Sequence, residues 1–171
     1  MADKTEGSIV AVLCAVLLTA LVKAGTAAET SNDSQEFLRH AYADGMQEVQ
    51  DSRNALNTVR RPEVHNAAQM LIDDHTRANG QLMALAQRKG WDVSAGKPAL
   101  PPPAALDEHV QADIDATFVG QQIANHQKAI AAFGQQAGKG DDADVRKFAG
   151  ELLPRLRTHL DELQKLQSAQ R

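Results

Sequence analysis

Four stretches of this 171-residue chain place apolar residues at the three-and-four spacing of a single helix face. Phe37, Leu38, Ala41, Met46, Val49 and Leu56 trace the first stripe, and Leu71, Ala78, Leu82 and Leu85 the second. The third runs through Phe118, Ala129 and Phe133, and the fourth through Leu152, Leu156, Leu163 and Leu166. Three of these stripes are broken on their own apolar face by an imidazole: His75, His126 and His159. A buried polar ring must find a partner to offset the water it gives up, so each interruption is a candidate for chemistry as well as for packing.

Punctuation divides the stripes into two helical hairpins. A first helix is predicted to follow a cap at Asp33 or Ser34 and to end near Val59, stopped by Arg60, Arg61 and Pro62. The second runs from Glu63 to about Lys89, with Gly90 as its C-cap. Four of the six prolines and no periodicity mark a crossover over about residues 90–112, in which AALDEHVQ could add a short helix. Trp91, at its start, is expected to plug the end of the bundle. The third helix is predicted from about Asp113 to Ala137, and the fourth from about Ala143 to Ala169, capped by Asp141 or Asp142. Pro154 lies well inside the fourth, where a kink is expected. The fold class is therefore all-α, a ferritin-like four-helix bundle of two antiparallel hairpins joined by one long Pro-rich crossover.

Residues 9–22 form an uncharged apolar run, IVAVLCAVLLTALV, the length of a signal-peptide core and short of a bilayer span. Thr26 and Ala28 fit a small-x-small cleavage site, giving a signal segment over residues 1–28 and a bundle domain over 29–171. A periplasmic, exported protein is the expectation, and anchoring in the inner membrane by residues 9–22 is the alternative. Cys14 has Leu13 before it and does not fit a lipoprotein site. Its removal would leave no cysteine, which excludes disulfides and thiolate chemistry. The removed segment balances Lys4 and Lys23 against Asp3 and Glu6, so the net charge of −4 is unchanged. No basic patch stands out, which excludes nucleic acid as a partner and leaves an envelope protein or a membrane surface.

Register brings the polar interruptions together. In the first hairpin Glu48 and His75 each lie about 11–12 residues from the turn, or about 17 Å at the helical rise. In the second, His126 and His159 lie roughly 18–24 Å deep. With a crossover that spans the bundle, helices two and three run parallel and Glu48, His75, His126 and His159 share a level near mid-height. Asp115 and Gln122, on the His126 face, are candidates to complete the set or to orient an imidazole. Such a site suits one ion of zinc, copper, nickel or iron. The alternative is a buried structural polar network around Glu48, with Asp44 or Gln47 in its place if the register slips by one. His40, His65 and His109 are expected at the surface, and Asp73 and Asp74 beside Arg77 read as a solvated face.

The segments DDHTRAN, NHQKAI and LLPRLRTHL, with Glu48-Val49 in the first helix, resemble an exported bacterial family of unknown function whose members are labelled outer-membrane or ferritin-like four-helix proteins. The resemblance covers nearly the whole mature chain and implies a helical bundle outside the cytoplasm, with a metal site but no established activity. The chain departs from di-iron ferritin-like proteins, which use Glu-x-x-His pairs. Three residues before each histidine stand Ile72, Ile123 and Leu156, all apolar, so a mononuclear site is expected rather than a bridged one. No nucleophile-base pair, phosphate-cradling glycine loop or thiol redox motif is present, and a binding protein is favoured over an enzyme. A non-catalytic envelope or stress-response interaction protein is the competing reading.

Overall fold

A computed structural model of the chain describes residues 33–94 and 114–169. Among them are four helices: α1 (Asp33–Leu56), α2 (Pro62–Lys89), α3 (Ile114–Lys139) and α4 (Ala143–Ser168). None of these is long and apolar enough to cross a membrane. The expectations for residues 1–28, for most of the crossover and for His109 lie outside the described residues.

Helix ends follow local chemistry. Pro62 opens α2 at its first position, where the amide hydrogen it lacks would have had no partner. Gly90 closes α2 with φ of 69°, a left-handed conformation that glycine adopts without a Cβ penalty. The Asp142 carboxylate caps α4 by accepting the amides of Asp144 and Val145 at 3.0 and 3.1 Å. Pro154 is accommodated within α4, which continues through it as one helix. Ser34 is not the cap of α1. It is fully buried inside the helix, where its hydroxyl donates to Asp141 and accepts from the Gln136 amide at 2.8 Å, tying the start of α1 to the α3–α4 turn.

Those end contacts fix the directions. Asp115, at the start of α3, accepts the backbone amides of Arg60 and Arg61 at 2.8 and 3.0 Å, so α2 and α3 begin at the same end and run parallel. Lys89, at the end of α2, pairs with Asp142 and Asp144 at the start of α4, both at 2.8 Å, so these two helices run antiparallel. The hairpin partners α1–α2 and α3–α4 pack most extensively, α2 also meets α4, and α1 meets α3 only loosely.

The apolar core divides in two. At one end Leu38, Leu82, Leu85, Val145 and Phe148 pack together under Trp91, which is half-buried as expected of a plug. At the other, Val64, Val119, Ile123 and Leu163 form a second cluster. Between them lies the polar layer that the histidines occupy.

Asp115→Ala should cost about 1.5–3 kcal/mol by stranding two turn amides that now bond to a carboxylate. Chemical denaturation would show this as a lower midpoint with an unchanged slope.

Candidate metal centre

His75 on α2, His126 on α3 and His159 on α4 meet at mid-height. Their ring centroids lie 5.3–5.6 Å apart, and one ligating atom from each comes within 4.8 Å of the others. His126 and His159 are each only 1% exposed.

Hydrogen bonds set the tautomers. The Gln122 carbonyl, one turn before His126, can only accept, so the 2.9 Å contact to His126 Nδ1 requires the proton on Nδ1. Asp74 holds Nε2 of His159 at 2.9 Å, again an acceptor facing a ring nitrogen that must carry hydrogen. The Asp74 carboxyl is pushed up by burial, but the hydrogen bond from His159 and the charges of Arg155 and Arg77 outweigh this and hold it below its ordinary value. Arg155 and Arg77 reach it at 3.1 and 3.0 Å. The lone pairs left over are His126 Nε2 and His159 Nδ1, which face each other at 3.3 Å. Two acceptors at that distance repel unless something positive lies between them.

The imidazoles are held neutral. Burial, helped by His126 and His159 and opposed by Asp74, drives His75 down to about 3. Burial likewise drives His126 down to about 4, against the pull of its bond to Gln122. His159 is lowered by burial despite Asp74. His75 Nε2 is buried and has no hydrogen-bond partner among the described residues. Three neutral nitrogens therefore converge. Nitrogens bound tetrahedrally to one ion at about 2.0–2.1 Å stand about 3.3–3.4 Å apart, the separation already present between His126 and His159.

Glu48 shares the cavity with the three rings, but its carboxylate is not among the clustered donor atoms. The cause is that α1 packs closely on α2 alone and only loosely on α3, so it stands off from the helices that carry His126 and His159. Burial drives the Glu48 carboxyl up to about 7 against the Asn125 and Gln122 amides, with Asp51 and Asp44 adding to the rise. Asp115 is corrected outright. It lies at the end of the bundle and serves the α1–α2 turn rather than any histidine. Gln122 does orient His126, through its main-chain carbonyl and not its amide. Asp74 is the residue that sequence reasoning misplaced. It forms the expected ion pair with Arg77, yet its side chain is only 10% exposed and turns inward to His159. The signal available was Arg155, one turn before His159, which supplies the second cation that Asp74 meets across the interface. His40 and His65 are exposed, as expected.

A family profile described as "Domain of unknown function (DUF4142)" matches residues 20–166. The chain belongs to this family. No curated protein matches the sequence. Among solved structures, the DUF4142 bundle is similar to a DUF305 fragment from Deinococcus radiodurans, with a TM-score of 0.65 at 14% identity, covering 80% of this chain and 95% of that one. It is also similar to CopM in the Cu(I)-bound form, with a TM-score of 0.59 at 16% identity, covering 77% of this chain and 93% of that one. For CopM in the Cu(II)-bound form the TM-score is 0.62 at 15% identity, with 81% and 97% covered. At these identities the likeness establishes the bundle fold for the DUF4142 chain.

Protonation links the site to stability, with opposite signs for the imidazoles and Glu48. Below pH 6.5 the unfolded chain binds protons on imidazoles that the fold keeps neutral, so their contribution is lost on acidification towards about 3. The folded Glu48 carboxyl keeps its proton up to about 7 whereas the unfolded one releases it near 4.5, so its contribution is present below 4.5 and lost as pH rises through 7. The metal-free protein should thus lose stability below pH 6.5, where the three imidazoles outweigh the one carboxyl. Glu48→Gln should gain on the unsubstituted chain by about 3 kcal/mol between acid and mildly alkaline pH. Denaturation at both pH values checks this, and a pH-independent difference would contradict it.

Proposed function

We propose that this protein binds one transition-metal ion in the bundle core through His75, His126 and His159, and that it does so as an exported protein of the cell envelope. The observation that carries the reading is the pair of imidazole lone pairs opposed at 3.3 Å. A cation between them would convert a repulsive contact into two bonds, and His75, whose Nε2 has no partner among the described residues, would supply a third. Asp74 and the Gln122 carbonyl supply the outer hydrogen bonds that metal-binding imidazoles commonly make through their other nitrogen. Zinc, copper, nickel and iron all accept such ligands. Copper is the first ion to test, because CopM carries copper in both oxidation states on a similar bundle. Export is supported by the signal-like residues 9–22.

A second reading has its own support. The same 3.3 Å contact could hold a proton in place of an ion, with His159 charged against Asp74. The histidines would then be structural, and the function would lie on the bundle surface, with an envelope protein or membrane as partner.

Elemental analysis and titration of the mature protein separate the two. The metal reading predicts about one ion per chain, lost in each of His75→Ala, His126→Ala and His159→Ala, and bound about 10–100-fold more weakly in Asp74→Asn. No uptake by the unsubstituted chain, or uptake indifferent to all three histidine substitutions, would overturn it.

A further inference from the structure

A cavity of about 560 Å³ opens beside the three histidines, within the size range of small-molecule sites. It lies where α1 stands off from α3, and all three imidazoles contribute to its wall. An ion held there has protein ligands on the side of α2, α3 and α4 and open space on the side of α1. Three protein ligands and one free position is the arrangement that admits an outside donor.

Two further polar atoms on the cavity wall are left without a partner. Glu48 Oε2 and Asn79 Nδ2 line it, each on a residue 7% exposed, and neither atom has a partner among the described residues. Buried polar atoms in folded proteins are rarely left in this state. Asn79 is also held in place. A Cβ at Gly45 would stand 2.3 Å from its Oδ1, so only glycine at 45 lets the Asn79 amide lie against α1 as it does. Beyond these groups the wall turns apolar, with Phe37 and Phe133 in edge contact at 5.0 Å and Leu152 beside them. Charge gives an anion no advantage, because Glu48, Asp44 and Asp74 on the wall offset Arg77, Lys128 and Arg155, and the apolar part of the wall favours a neutral ligand.

We infer that this cavity binds a small, neutral, flat nitrogen-donor molecule of the azole type. It would coordinate the metal at the face left open, hydrogen-bond to Glu48 and Asn79, and rest its apolar part on Phe37 and Phe133. The inference depends on the metal reading above and adds an exchangeable ligand to it.

Titration of the Cu(II)-loaded full chain at mildly alkaline pH with imidazole, and separately with azide, tests it through the copper electron paramagnetic resonance and visible spectra. One saturable imidazole site is expected, at least tenfold tighter than azide. Ala132→Trp, at the exposed mouth of the cavity, should keep its copper and weaken imidazole at least tenfold, and Asn79→Ala should weaken it several-fold. Copper-loaded protein whose spectrum imidazole leaves unchanged would overturn the inference and leave the metal reading standing. So would azide binding as tightly as imidazole, or imidazole binding equally well to both variants. A chain that takes up no metal overturns both.

Discussion

The 3.3 Å approach of His126 Nε2 to His159 Nδ1 is the constraint on which the rest of this bundle turns. Neither ring is free to relieve it by changing tautomer, because a main-chain carbonyl fixes one and a carboxylate pinned by two arginines fixes the other. An apolar layer of the same volume would avoid the cost of burying three imidazoles. The chain instead divides its core into two apolar clusters and sets the polar layer between them. On the proposed reading, a cation between the rings would make that division favourable and would account for outer nitrogens that are so firmly held.

The helical framework makes the meeting point nearly unavoidable once the ends are tied. Asp115 on the α1–α2 turn and Lys89 on the α4 cap fix the directions of three helices. With those directions set, the helical rise alone carries His75, His126 and His159 to one level. The first helix is tied differently, through Ser34 and the α3–α4 turn, and packs chiefly on α2. Its looser seat against α3 is what opens the cavity and holds Glu48 back from the imidazoles.

Most of the fold was legible because helix stops are local chemistry: Pro62, Gly90 and Asp142 act where the sequence places them. The three histidines were legible for a second local reason, since each interrupts an apolar stripe. Residues whose role depends on a partner helix were not. Asp74 sits beside a cluster of exposed polar residues in sequence, and only the packing of α4 against α2 turns it inward. Asp115 shares a face with His126, but ten residues of helix separate them, a distance that a face-only argument ignores. Ser34 reads as a cap by residue type, yet the α3–α4 turn closes over it and makes it a buried hydrogen-bonding hub. Glu48 shares the level, but level alone says nothing of how closely two helices approach.

Long-range nitrogen–proton spectra of the imidazoles, recorded with and without one equivalent of copper(I), test the central claim most directly. Neutral rings are expected in the metal-free protein, protonated on Nδ1 at His126 and on Nε2 at His159, with His126 Nε2 and His159 Nδ1 shifting together on metal addition while the outer hydrogens stay in place. An imidazolium at His159 sharing its proton with His126, unchanged by the metal, would contradict that claim and make the histidines a structural layer.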